Sequence, residues 1–152
     1  MAKASSIQIY TLGYQGKSLP VYIEALLTAG VSIVLDVREK AWSYKPGFSK
    51  TQLQTALSKA GIQYLHVRSA GNPSSNRKTA TSVKECLSRY CEHLEKNPAC
   101  IIELLGLIKE ANSSGDSVCL TCFEQDHNQC HRNILLDRLI MANRRLKPVH
   151  LK

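Results

Sequence analysis

The chain has 152 residues, 43% of them hydrophobic, which suits one domain able to bury a real core. Charged residues of both signs exclude wholesale disorder, and no apolar run approaches the ~20 residues of a membrane helix. The formal net charge of +8 favours anionic partners such as phosphates, nucleotides or nucleic acid.

In chain order, Met1-Ala-Lys-Ala-Ser-Ser6 leads straight into a strand-like run rather than the apolar core of a signal peptide, so a cytoplasmic protein is expected. Ile7 to Leu12 alternates and meets Gly13, which predicts a strand ending at a turn. Ser18 is a candidate N-cap and Pro20 suits the first turn of a helix over about 19–29, with Tyr22, Ile23, Leu26 and Leu27 on one face and Gly30 as its stop. Val31 to Asp36 is almost wholly apolar, the mark of a strand covered on both faces. A loop with Pro46 and Gly47 follows, then a helix over 50–60, capped by Ser49, buried through Leu53, Ala56 and Leu57 and stopped by Gly61.

Ile62 to Val67 predicts the third strand, and Ser69 to Thr81 a long polar loop. Helices are expected over 82–96 and 98–113, a fourth strand over Ser117 to Cys122, a last helix over 129–143 and a short final strand over Pro148 to Leu151. Strand and helix alternate, so the expectation is one α/β domain over 1–152. It would have three α/β/α layers around a mostly parallel, Rossmann-like sheet of four to five strands.

Ligands bind at the carboxyl ends of the strands in such sheets. Those ends carry Gly13-Tyr14, Asp36-Val-Arg38, His66-Val-Arg68 and Cys122-Phe-Glu124. The densest segment continues through Asp126 to Cys130-His131-Arg132, which opens the last helix. A helix start presents free N–H groups and a positive dipole end, so it suits an anion. Arg132 could clamp phosphate or carboxylate bidentately, or pair with Glu124 or Asp36 and hold the loop. The same dipole is expected to lower the pKa of Cys130, with His131 as general acid or base.

Catalytic candidates are therefore Cys122, Glu124, Cys130 and His131. Substrate contacts are expected from Gly13, Tyr14, Asp36, Arg38, Ser43, Lys45, Phe48 and Arg132. The expected ligand is a small anion or nucleotide, with nucleic acid as a possible partner, no membrane and no cofactor. A non-catalytic nucleotide or nucleic-acid module is the alternative.

Two other chemistries compete for the cysteines. Zinc could be held through Cys122, Cys130 and His131, with Cys119 as a further ligand type. Against it, Cys119 and Cys122 lie three apart on a strand and face opposite ways, and adjacent Cys130 and His131 seldom close on one ion. A reversible Cys122–Cys130 disulfide is disfavoured in a reducing compartment except transiently. Cys86, Cys91, Cys100 and Cys119 read as small buried hydrophobes and free thiols.

Several motifs together resemble the bacterial and archaeal family named domain of unknown function 488. They are Thr11-Leu-Gly-Tyr14 with Ser18-Leu, Leu35-Asp-Val-Arg38, Ser43-Tyr-Lys-Pro-Gly-Phe-Ser49, Gly61 to His66, Cys122-Phe-Glu124 with Cys130-His-Arg132, and Val149-His150. The Cys/Glu and Cys-His-Arg pair is the most specific. Lys45 stands where the family usually has arginine, and Ser69-Ala-Gly71-Asn72 where it often has Leu-Gly-Gly. The resemblance implies the fold and the place of the site, not a reaction. Asp-Val-Arg and a strand-ending cysteine also resemble rhodanese-type sulfurtransferases, but Glu124 and Asp126 would repel an anionic persulfide.

Overall fold

The computed structural model describes residues 5–152. Strand β1 (Ile7–Gly13) is followed by α1 (Leu19–Thr28), β2 (Ile33–Asp36), α2 (Lys50–Lys59) and β3 (Gln63–His66). Then come α3 (Ser74–Thr79), α4 (Val83–Lys96), α5 (Ala99–Ser113), β4 (Val118–Cys122), α6 (His131–Ala142) and β5 (Leu146–His150). The five strands run in the order β3-β2-β4-β1-β5, and every pairing is parallel.

Burial explains the layers. All five residues of β4 are buried. Val118, Leu120 and Cys122 pack with α4, α5 and α6, whereas Cys119 packs with α1 and α2. The two-residue alternation of a strand thus feeds two cores, one on each face.

Local signals set the helices. Ser18 accepts from Val21 N at 3.4 Å, with Pro20 in the first turn, and Gly30 and Gly61 close α1 and α2 at φ 76° and 79°. Leu27, expected inward, is exposed, because α1 turns only Tyr22 and Leu26 fully into the core. Ser49 precedes α2 without capping it. Its hydroxyl donates to Ser43 O at 3.2 Å and accepts from Ser43 N at 3.1 Å, closing the 43–49 loop on itself.

Three boundaries differ from expectation. The 69–81 segment contains α3, whose first amide, Ser74 N, is bonded by the Glu39 carboxylate at 3.2 Å. The last helix starts at His131, after a 3-10 turn over His127–Gln129. The last strand begins at Leu146, because Ile7 to Thr11 on β1 offers it a partner row. Pro148 is tolerated there because β5 is an edge strand. Among the described residues, no helix is long and apolar enough to cross a membrane.

The topology also locates a crevice. The chain leaves β2 toward α2 and the edge at β3. It leaves β4 toward α6 on the other face and the edge at β5. Neighbouring strands whose connections diverge leave a gap beyond their carboxyl ends, here between β2 and β4.

Candidate functional site

The β2 side of the crevice is built on a buried carboxylate. Asp36 accepts from Arg38 Nε at 2.9 Å and from a terminal Arg38 nitrogen at 2.7 Å. Tyr64, on β3, donates its hydroxyl to the same carboxylate at 2.5 Å, and the other end of the guanidinium donates to Tyr14 Oη at 3.1 Å. Burial disfavours a charged guanidinium, but Asp36 outweighs it and holds the Arg38 pKa above its ordinary value. Burial and then Asp36 push the Tyr64 phenol up as well. Tyr14 stacks on fully buried Phe48 with ring centroids 4.5 Å apart, and Phe123 meets it edge-on at 5.4 Å. Lys45 donates to the Tyr14 carbonyl at 3.1 Å.

The β4 side carries the reactive groups. Cys122 ends the strand, and its Sγ lies 3.5 Å from Glu124 Oε2 and 3.6 Å from His131 Nδ1. Cys130 Sγ lies 3.9 Å from the same nitrogen. His131 Nε2 is 2.7 Å from Val37 O. A carbonyl only accepts, so Nε2 carries a proton and Nδ1 faces the two sulfurs. Cys122, Cys130 and His131 each offer one ligand atom within 4.8 Å of the others, and all three residues are buried.

The expectation that adjacent Cys130 and His131 would not close on one point is therefore corrected. Cys130 is the N-cap of α6, with φ −126° and ψ 143°, while His131 is the first helical residue. That change of backbone between neighbours lets both side chains turn to Cys122. Cys119 faces the other core, as strand alternation requires.

Two further expectations are corrected. Burial, and then Cys122 beside it, push the Cys130 thiol well above its ordinary pKa, overriding the helix dipole. Arg132 is 1% exposed and turns inward: its two terminal nitrogens donate to the carbonyls of Glu124 and of Gln125, the latter at 3.2 Å, and its buried Nε has no partner among the described residues. It ties down the loop after β4 through backbone carbonyls rather than through the Glu124 or Asp36 carboxylates.

A cleft of about 620 Å³ opens above these groups. Of the expected site residues, Tyr14, Arg38, Ser43, Lys45, Cys122, Glu124 and His131 line it. Gly13, Asp36, Phe48, Cys130 and Arg132 do not, and support it from behind. The cleft also recruits Trp42, Tyr44, Phe123, Lys40 and Arg77. Trp42 and Tyr44 are 58% and 91% exposed and meet edge-on at 4.3 Å. Two aromatics in a Lys-rich loop just past a strand end were the available sequence signal for them. Cys86, expected in the core, is half-buried on the cleft wall, with Asn72 donating to its Sγ at 3.2 Å. Cys91 is half-buried too, and all six cysteines are free thiols. Lys17, which sequence reasoning passed over, is buried, and burial followed by the charges of Arg132 and Lys45 lowers its pKa.

A family model described as Domain of unknown function DUF488 matches residues 18–139. The chain belongs to this family. The match spans most of the chain and includes both walls of the crevice, from Asp36 through Phe48 and from Cys122 through Arg132. Neither curated proteins nor solved structures yield a match. Family membership therefore leaves the chemistry to the residues themselves.

Proposed function

We propose that this DUF488 chain is an enzyme acting on a phosphorylated, nucleotide-like small molecule held in the cleft. The observation that carries the reading is the 3.6 Å contact between Cys122 Sγ and His131 Nδ1 on the cleft wall, with Glu124 beside it. A thiol facing an imidazole nitrogen, with the ring oriented by a third group, is the arrangement of an activated nucleophile or a proton-transfer pair. Here Val37 O supplies the orientation. Lys40, Lys45 and Arg77 line the same cleft, and none pairs with a carboxylate among the described residues. Trp42 and Tyr44 offer ring faces on which a base can stack. Six free thiols fit a reducing, cytoplasmic setting.

A second reading, a non-catalytic nucleic-acid module, is favoured by the high exposure of the Trp42–Tyr44 pair and by the +8 charge.

Trp42 is the only tryptophan and reports on the cleft directly. A nucleoside 5′-monophosphate should change its fluorescence saturably, and Lys45→Ala and Arg77→Ala should weaken that response. An oligonucleotide that binds far better, with a steep loss of affinity in salt, supports the second reading. No saturable response to either ligand refutes both. Cys122→Ser should keep ligand binding under both readings and abolish turnover only under the first.

A further inference from the structure

We propose that Cys122, Cys130 and His131 hold one zinc-type divalent cation, with the fourth coordination position turned to the cleft. What the ion would do rests on the reading of this cluster as a reacting centre, in which the ion would take up the Cys122–His131 pair and leave Glu124 as the proton acceptor; the site itself stands on its own geometry.

Tetrahedral zinc, with metal–sulfur bonds of ~2.3 Å and metal–nitrogen bonds of ~2.0–2.1 Å, sets sulfur–nitrogen edges at about 3.6 Å. The two edges from His131 Nδ1 are 3.6 Å to Cys122 and 3.9 Å to Cys130. One thiol can bond Nδ1 while the other bonds a neighbouring sulfur or Glu124, but a single ion would engage both sulfurs and Nδ1 at once. The ring is held by its other nitrogen donating to Val37 O at 2.7 Å, the outer hydrogen bond that metal-ligating histidines make. Arg132 N, in the first turn of α6, donates to Cys130 Sγ at 3.5 Å, a contact that would steady the sulfur's charge once an ion has displaced the proton that burial otherwise holds there.

Charge balance points the same way. Two thiolates and a neutral imidazole neutralise a divalent cation, which makes the assembled centre bearable at a place where all three ligands are buried. Binding changes no oxidation state: each thiol releases its proton to solvent as its sulfur bonds the ion. Cys122, Glu124 and His131 line the cleft while Cys130 sits behind, so the remaining position lies on the cleft side. Three protein ligands with one open position is the pattern of a catalytic rather than a structural zinc. Glu124, 3.5 Å from Cys122 Sγ but outside the three-ligand set, is placed to take a proton from a water at that position.

The test uses the whole chain, freed of metal by a chelator and of any histidine tag, with no nucleotide present. Titration with Co²⁺ should saturate at one equivalent, develop thiolate-to-cobalt charge-transfer absorption, release two protons per ion and reverse on adding Zn²⁺. Cys122→Ser, Cys130→Ser and His131→Gln should each weaken binding by more than the ~10–100-fold that losing an outer hydrogen bond costs. Cys91→Ser should leave it unchanged. Absence of the charge-transfer band in the parent protein overturns the proposal, and so does affinity equal to the parent's in all three ligand variants. The parent spectrum decides the matter even if a variant fails to fold. The Trp42 titration of metal-free protein reads the cleft separately, so either idea can fail alone.

Discussion

Replacing Gly13 with alanine should damage both stability and site, and the structure sets the scale. Gly13 pairs with Cys122 across β1 and β4, and the next amides, Tyr14 N and Gln15 N, bond Cys122 O and Phe123 O at 3.1 and 2.8 Å. A Cβ on Gly13 would lie 1.8 Å from Glu124 O and 2.4 Å from its carbonyl carbon. Relief means opening the first gap from 1.8 to at least 3.0 Å, a move of about 1.2 Å. The neighbour is backbone, not the end of a flexible side chain, and Arg132 clamps that same stretch from below. Overpacking of this kind costs ~1–3 kcal/mol, and a rigid neighbour puts Gly13→Ala at the upper end. With a urea m value of ~1–3 kcal/mol/M, the unfolding midpoint should fall by roughly 1–3 M. The displaced loop carries Glu124 and adjoins Cys122, and a misplacement near 1 Å costs on the order of 10²-fold in rate. Urea unfolding followed by circular dichroism reads the first effect, and the alkylation rate of Cys122 in metal-free protein reads the second. A midpoint and alkylation rate equal to the parent's would refute this account of why glycine stands at position 13.

The Asp36–Arg38 pair is buried on both sides, so Asp36→Asn strands a cation and should cost about 3–5 kcal/mol in urea unfolding, whereas Asp36→Leu with Arg38→Met should cost less than the single change. A single change milder than the double would contradict that. Burial raises the phenols of Tyr22, Tyr64 and Tyr90 above their ordinary value of 10.0. The unfolded chain therefore ionises these groups first, and their contribution to stability is full below about pH 10 and lost as pH rises toward the folded values. Melting temperature should drop over that range, and tyrosinate absorbance should report all six tyrosines only after unfolding; complete ionisation of the folded chain would contradict this.

Much of the scaffold is written in the sequence because two-faced burial leaves a continuous apolar run. Val118 to Cys122 is such a run but for Thr121, and Asp36 and Cys122 mark the ends of neighbouring strands. Helix α3 was not legible: Ser74 to Thr79 buries nothing, and its start depends on Glu39, far back in the chain. Tyr64 read only as part of a strand, since its bond to Asp36 exists only once β3 lies beside β2. Arg132 looked like a ligand contact because a helix start suits anions, yet its side chain turns inward to two carbonyls, a choice that tertiary packing makes. The convergence of Cys130 and His131 escaped for a similar reason, since rules for neighbours within one helix fail across an N-cap.

The proposed function brings ligand and reacting groups together at the end of the cleft formed by Cys122, His131 and Glu124. Site-resolved alkylation of the metal-free protein with iodoacetamide, read by mass spectrometry with and without a nucleoside 5′-monophosphate, tests it most directly. Cys122 should be modified faster than Cys119 and Cys130, and the nucleotide should slow that modification while leaving half-buried Cys91 unaffected. Cys122 as inert as Cys119, or labelled at the same rate with nucleotide bound, would contradict the account.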